Sequence, residues 1–577
     1  MLATHGRELE LDVLLDCVAT VDSELDEEAV LDQIDALIEA RLVVQRSVGI
    51  TELLSLVHPR TGEVLYRDLA QNRRRVLHAE LARALEQHHA DSPMAAEAIG
   101  EHYRLAEQPG RAWVFLVRAA RGLKWRSLLG AAEEVVERAR SLAAAAREEL
   151  DPEEFESARQ DMLRVRSSVL VNRGRWPDAR QALIMLRGSA LRMGDDTLAD
   201  HAGLELGMVL VRLGLEDEGR AMTEAVLAGA RARRDRGITI DALHRLASLS
   251  WDAGNIDECE SLANQALVSA EGPEHRARKA KLLTTRSAVQ ASRGQLASAT
   301  LGMEEAAQIH DELGNKTEGS ITWGNLGELR CWQGSYGEAL EAVERSIELS
   351  RAVLFRVGEA FALQVRGHVR MEIGLLAEAE TDITASLDIL RDLGVTGDAV
   401  AVHFVHGRLL LLLGRTDNAR ETLELGLVGA QHQDPESYAP VLQACLARAH
   451  ALAGEGDRAR ALVDEVGRRL PLLPVPRRTQ ALLELAEAAT MLGDLNLARR
   501  YAADASGCAR RGNLRPWGLR AWMLRAEVED PPQDQLARRT AGDVARQLLE
   551  GLPQELAEVW RVRPGLEAVL VMHADGE

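Results

Sequence analysis

Along most of the chain, apolar residues recur at steps of three and four positions, as in EALEAVERSIELS (residues 338–350). This spacing gathers apolar side chains on one face of an α-helix and leaves charged ones on the other. Segments of this kind are rich in Leu, Ala, Glu and Arg, and single glycines separate them. The pattern predicts a chain built almost entirely from amphipathic helices.

The glycines between these helices follow a period. Seven intervals are 40 residues and the last is 39. The positions are Gly174, Gly214, Gly254, Gly294, Gly334, Gly374, Gly414, Gly454 and Gly493. A glycine that ends a helix can take the left-handed conformation without a Cβ penalty. Nine such glycines predict nine helix–turn–helix repeats stacked as a solenoid.

Small residues accompany each glycine at fixed distances. Five positions after it stand Ala179, Gly219, Cys259, Ala299, Ala339, Ala379, Ala419, Ala459 and Ala498. Seven positions before it stand Ser167, Gly207, Ala247, Ser287, Gly327, Gly367, Gly407, Ala447 and Ala486. We expect these two sets to lie on the two helices of each hairpin, where they allow close approach. A third set twelve positions after the glycine, which includes Ser346 and Ser386, is predicted to pack against the next repeat.

This pattern resembles the tetratricopeptide repeat (TPR). In the central repeat, the family's small, glycine and alanine positions fall on Gly327, Gly334, Ala339 and Ser346. The period is longer than the family's usual length of about 34 residues, and the proline that normally ends the repeat is missing. The resemblance implies an all-α fold, a right-handed α-solenoid of TPR-like hairpins with a wide superhelix. Sensor domains of maltose-regulator-type activators are similar in this respect.

The first 90 residues break the period. Two helical segments, the second capped by Asp26, are followed by two short β-like runs and a longer helix. This order resembles the winged-helix segment that follows the nucleotide-binding domain in signal-transducing ATPases of the STAND class. We therefore predict a winged-helix-like coupling domain at 1–90, a helical connector at 91–153, nine repeats at 154–510 and a helical cap at 511–577.

Charge and composition exclude several classes of partner and location. The net charge is −21, and residues 1–45 contain twelve acidic residues but only Arg7 and Arg41, so we expect no nucleic-acid partner. There is no 18-residue apolar run and no signal-like N-terminus, which predicts a cytoplasmic protein without a membrane partner. The five cysteines form no CxxC pair, in keeping with a reducing compartment.

Catalytic motifs are missing from the sequence. None of the four lysines follows a glycine, so a Walker A loop is excluded, and no G-x-S-x-G elbow occurs. The stretch GEGDRA (454–459) fits a dinucleotide fingerprint, but its Gly454 and Ala459 belong to the repeat. The pairs His88/His89 and His403/His406 lack a third metal ligand. We expect no enzyme activity, no cofactor and no metal.

In the TPR family, partners bind the concave surface that the first helix of each repeat lines. Carrying those positions over gives the concave-face set: His244, Trp251, Glu328, Cys331, Phe361, Gln364, His368, Met371, Phe404 and Arg408. Its apolar and polar members would suit a peptide, a protein or a small effector. The alternative is that its aromatic residues simply pack between helices.

The resemblance implies a non-catalytic regulatory scaffold, the sensor portion of a STAND-type ATPase or regulator. An ATPase or kinase domain would then act with it, in the same chain or in another one, and Met1 would follow an ATPase domain encoded upstream. A stand-alone TPR adaptor without an ATPase partner is the alternative.

Overall fold

The computed structural model describes residues 1–21, 25–126, 128–394, 399–433, 437–563 and 565–571. Its internal contacts divide the chain into two compact units, Met1–Arg233 and Arg234–Glu577. The division lies inside the repeat array, after the second hairpin. Almost all described residues are helical, which confirms the all-α prediction.

The first unit begins with a small mixed region. Its elements are α1 (Leu2–His5), β1 (Leu9–Glu10), α2 (Leu11–Val21), α3 (Glu27–Glu39), β2 (Val43–Val48) and β3 (Thr51–Leu56). The three strands form an antiparallel sheet in the order β1-β3-β2, with Leu9 opposite Leu54 and Val43 opposite Leu56. Asp26 caps α3, because its Oδ1 accepts a hydrogen bond from the Ala29 amide at 2.8 Å. That cap is as predicted.

Helices complete the first unit. They are α4 (Pro59–Asp68), α5 (Gln71–His89), α6 (Ala96–Leu105), α7 (Pro109–Trp125), α8 (Leu129–Glu149), α9 (Pro152–Asn172), α10 (Trp176–Met193), α11 (Asp196–Arg212) and α12 (Glu216–Arg233). Buried Trp113 of α7 stacks on Phe155 of α9, with 4.6 Å between ring centroids. This contact anchors the first repeat hairpin, α9/α10, to the helices before it.

A chain of hydrogen bonds joins three histidines inside the first unit. His102 Nε2 lies 2.9 Å from His5 Nδ1, and His102 Nδ1 lies 2.8 Å from His78 Nδ1. The Tyr66 hydroxyl lies 2.8 Å from His78 Nε2. Each bond joins two of these groups, and a neutral imidazole has one donor and one acceptor. Neutral rings can therefore satisfy every bond of the chain, which ties α1 to α4, α5 and α6.

The second unit contains the rest of the array. Its helices are α13 (Arg236–Asp252), α14 (Ile256–Ser269), α15 (Arg276–Ser292), α16 (Leu296–Glu312), α17 (Lys316–Gln333), α18 (Tyr336–Ala352), α19 (Arg356–Ile373), α20 (Leu376–Leu393), α21 (Ala399–Leu412), α22 (Thr416–Gln433), α23 (Tyr438–Leu452), α24 (Gly456–Arg469), α25 (Val475–Met491), α26 (Leu495–Arg511), α27 (Arg515–Val528), α28 (Gln533–Glu550), α29 (Gln554–Arg561) and α30 (Leu566–Val571). Odd-numbered helices from α13 to α25 are the first helices of hairpins, and even-numbered ones are the second.

The nine periodic glycines are the turns of these hairpins. All nine have positive φ, between 66° and 107°. The small residues five positions later are all buried, and so are those seven positions earlier. In the central hairpin a Cβ added to Gly327 would lie 3.1 Å from the Ala339 carbonyl oxygen and 2.4 Å from Val343. The array is a TPR-like solenoid, and its helices approach closely where the sequence predicts.

Two serines of the third small set make hydrogen bonds within their own hairpin. Ser346 donates a hydrogen bond to the Ser320 carbonyl at 2.6 Å, and Ser386 donates one to the Ala360 carbonyl at 2.7 Å. Both acceptors lie on the first helix of the same hairpin. These hydroxyls therefore join the two helices of one repeat, because a buried serine needs a partner and the nearest free lone pair is there.

Candidate functional site

The concave-face set lies on four first helices of the second unit, and its members differ in exposure. Trp251, on α13, is 37% exposed, and His244, Glu328 and Phe361 are half-buried. The other six are between 1% and 6% exposed: Cys331, Gln364, His368, Met371, Phe404 and Arg408. In this conformation only the first four offer surface to a partner. Partner binding by the whole set remains a prediction.

The chain's own C-terminal helices contact the first helices that carry much of the set. Each of these contacts joins two helices whose numbers differ by ten. Helix α15 contacts α25, α17 contacts α27, and α19 contacts α29. The rings of Trp332 and Trp517 lie 5.8 Å apart at 44°. Arg563 donates a hydrogen bond to the Glu372 carbonyl. Five hairpins thus complete one superhelical turn, and the next turn rests on the first.

Three periodic glycines lie in this junction between successive turns. A Cβ added to Gly294 would lie 3.0 Å from the Gly512 Cα, and one added to Gly334 would lie 2.0 Å from Leu548 Cδ2. At Gly374 the nearest atom would be Arg563 Cγ, at 3.0 Å. These glycines end helices, and they also leave room for segments far along the chain.

Within the second unit, six charged side chains form a buried ion-pair cluster: Glu372, Arg408, Arg448, Glu484, Glu487 and Arg520. They come from five successive first helices, α19, α21, α23, α25 and α27. Arg408 donates to Glu372 at 3.2 Å, and its Nε lies 3.7 Å from Glu484. Arg408 Nη1 also lies 3.4 Å from His368 Nε2.

Glu484 is the centre of the cluster, with its side chain 1% exposed. It accepts from Arg448 Nη1 at 3.1 Å and from Arg520 Nη1 at 2.8 Å. Glu487 accepts from Arg520 Nε at 2.7 Å, and its carboxylate lies 2.6 Å from Arg448 Nε. Three arginines and three glutamates balance in charge. The cluster therefore joins five helices without leaving a net charge for a ligand.

The arginines keep these carboxylates ionised. Burial alone raises the pKa of Glu484, but Arg520, Arg448 and Arg408 lower it more, so its net pKa falls below the ordinary range. Burial likewise opposes ionisation of Glu372, and His368 and Arg408 outweigh it, so the pKa is again lowered. A carboxylate held ionised in this way cannot serve as a general acid near neutral pH.

Phe404 of α21 lies within the helix packing. It is 2% exposed and meets the Tyr438 ring edge-on at 6.3 Å. The guanidinium groups of Arg408 and Arg477 lie 5.7 Å and 6.0 Å from its centroid. For Phe404 the structure therefore favours the alternative of packing between helices.

The accessible part of the concave surface lies at α13, α15 and α17. His244 Nε2 lies 3.0 Å from Thr285 Oγ1, and burial lowers the pKa of His244 to about 4, with Arg245 and Lys281 acting in the same direction. The pair Lys281–Glu318 spans 2.6 Å, and both side chains are more than 40% exposed. Together with Trp251, these groups form the open concave surface: His244, Trp251, Lys281, Thr285 and Glu318. It offers one exposed aromatic ring, and donors and acceptors on the same and the next two first helices.

Cys331 and Cys445 are buried thiols. Burial raises the pKa of Cys331 and of Cys445 well above the usual thiol value. Among the residues that the structure describes, no group of three or more His, Cys, Asp or Glu side chains could hold a metal ion. Within the same residues no helix is long and apolar enough to cross a membrane.

The residues that the sequence reasoning missed are Glu372, Arg448, Glu484, Glu487 and Arg520. One signal was available: Glu328, His368, Arg408 and Arg448 all stand six positions before their periodic glycine, and so does Glu487. Equivalent positions on successive first helices are neighbours in a solenoid. A column of charged residues of both signs at one repeat position therefore indicates ion pairs between repeats.

No protein-family model matches the sequence, and no curated protein does either. Among solved structures, a Rap protein complexed with competence and sporulation factor is 14% identical, with a TM-score of 0.46 over 63% of this chain and 99% of that one. A STAND protein with a tetratricopeptide repeat sensor from Pyrococcus horikoshii is 11% identical, with a TM-score of 0.42 over 74% of this chain and 62% of that one. Aspartyl phosphate phosphatase F from Bacillus subtilis is 11% identical, with a TM-score of 0.41 over 63% and 96%. These similarities concern the arrangement of helices.

Proposed function

We propose that the chain is a non-catalytic regulatory scaffold whose TPR-like solenoid binds a protein or peptide partner. The observation that carries this proposal is the open concave surface, where Trp251 is 37% exposed on the same helix as His244, and the exposed Lys281–Glu318 pair joins the next two first helices. An exposed aromatic ring on a surface that also carries polar groups is a common recognition arrangement. The scaffold has no catalytic role, in keeping with thiols of raised pKa and carboxylates paired to arginines.

The finer proposal is that this scaffold is the sensor of a STAND-type regulator in the cytoplasm, coupled to an ATPase or kinase domain. What supports it is the N-terminal order of helix, strand, two helices and two strands, with sheet order β1-β3-β2, as expected of a winged-helix-like coupling domain. The acidic first 45 residues favour a protein partner for this region over nucleic acid.

Affinity capture from the source cell, followed by titration of the captured partner, tests the binding proposal. Trp251→Ala should weaken binding at least about tenfold, in the range of an interface hot spot. Val268→Ala is the matched control, because Val268 lies on a second helix and is 71% exposed. Equal affinities for both variants would contradict binding at the open concave surface.

A second measurement addresses catalysis and coupling. The purified chain should not turn over ATP, and turnover would contradict a scaffold without an active site. A captured partner with a nucleotide-binding domain would support the STAND relation. If the captured partners include no ATPase and no kinase, the alternative of a stand-alone TPR adaptor is favoured.

A further inference from the structure

The junction between successive superhelical turns lies beside the buried part of the concave-face set. Cys331 stands on α17 and Met371 on α19, and these helices contact α27 and α29, respectively. Met371 and Cys331 are 1% exposed in this arrangement. A partner that needs these side chains cannot reach them in this arrangement.

The contacts of this junction are of a kind that can separate. On its C-terminal side Trp517, Leu548 and Arg563 are presented by α27, α28 and the segment after α29, and on the other side Trp332 and the glycine turns receive them. These are side-chain contacts between preformed helices rather than a shared helix or sheet. The hairpins themselves are held by their own small-residue seams, so the junction can open without unfolding a repeat.

We propose that α27–α29 act as an internal ligand of the concave surface, so that a partner gains access to Cys331 and Met371 when this junction opens. The proposal rests on the proposed function, because it concerns regulation of the same binding surface. Partner and C-terminal helices then compete, and the partner's apparent affinity is reduced by the fraction of molecules that are closed.

Glycine substitutions in the full chain test the junction. Gly334→Ala places a Cβ 2.0 Å from Leu548 Cδ2 and should weaken the closed state. Gly454→Ala is the matched control, since Gly454 has φ 77° against 81° at Gly334, and no described atom lies within 4 Å of its added Cβ. Both variants carry the same backbone strain, so a difference between them reports the junction alone.

Labelling of native thiols by N-ethylmaleimide, read by mass spectrometry, gives the fraction open. In Gly334→Ala we expect Cys331 to react at least about tenfold faster than in Gly454→Ala, which corresponds to ~1.4 kcal/mol of lost closure. Cys17, buried in the first unit, is the internal reference. Adding Leu548→Ala removes the colliding atom and should restore slow labelling. Equal rates in the two glycine variants, or no rescue, would overturn the proposed junction.

Partner titration separates this inference from the proposed function. If Gly334→Ala speeds labelling and raises the captured partner's affinity, the internal-ligand role is supported. If labelling speeds up but affinity does not change, the C-terminal helices are not inhibitory, while Trp251→Ala still decides whether the open concave surface binds.

Discussion

Gly334 lies against Leu548, so that a Cβ at the glycine would stand 2.0 Å from the leucine Cδ2. The same glycine ends α17 in a left-handed turn with φ 81°. One residue therefore meets two demands, a turn within its own hairpin and room for a helix of the next superhelical turn. The contact between these two residues links the hairpin α17/α18 to the next superhelical turn.

Ala339→Arg should destabilise the second unit. Ala339 is fully buried in the seam of the central hairpin, so arginine there would bury a charge and overpack the contact with Gly327. We expect a loss of about 3 kcal/mol or more in the free energy of unfolding. Glu341→Arg, on the exposed face of the same helix, is the control. An unchanged melting temperature of Ala339→Arg, measured by circular dichroism, would contradict close packing of the two helices at Ala339.

Phe404→Ala should act through packing. Loss of this buried ring, with its contacts to Tyr438 and Arg477, should cost about 3–5 kcal/mol. Leu412→Ala on the same helix removes a side chain that is 47% exposed and should cost much less. Urea unfolding measures both. A stable Phe404→Ala with weakened partner binding would instead identify Phe404 as a contact residue.

Glu484→Gln should destabilise the array by about 3–5 kcal/mol, because it leaves three arginines facing a neutral side chain in a buried place. Glu380→Gln breaks the exposed pair with Arg415, spanning 2.6 Å, and should cost about 1 kcal/mol or less. Urea midpoints of the two variants give the comparison. Similar costs would show that the cluster contributes little.

The three histidines of the first unit predict acid sensitivity. Burial lowers the pKa of His5 and His78 to about 4 and that of His102 to about 3, from an ordinary 6.5. Nearby Arg7, Arg74 and Arg104 act in the same direction, while Glu101 and the Glu8 backbone oppose it.

A lowered histidine pKa means that the unfolded state binds more protons between pH 6.5 and 4. The stability contribution is therefore complete above pH 6.5 and is lost as the pH falls, by about 1.4 kcal/mol per pH unit for each proton. Urea unfolding at a series of pH values, monitored by hydrogen exchange in α5 and α6, measures this pH dependence of stability. His102→Gln should flatten the dependence, and an equally steep dependence in that variant would contradict the linked chain.

Local features of the fold were predictable because they depend on residues close in sequence. Gly334, Gly327 and Ala339 specify one turn and one seam, and Asp26 specifies one helix start. The contact of Gly334 with Leu548 depends instead on small rotations added over five hairpins. No short pattern encodes that sum, so the burial of Met371 and Arg408 could not be predicted from their repeat position.

Hydrogen exchange of the full chain, with and without the captured partner, reports on the open concave surface and on the junction in one experiment. We expect slower exchange in α13 and α15, at the open concave surface, together with faster exchange in α27–α29 as the junction opens. Protection confined to second helices such as α14 and α16, with unchanged exchange in α27–α29, would contradict this expectation.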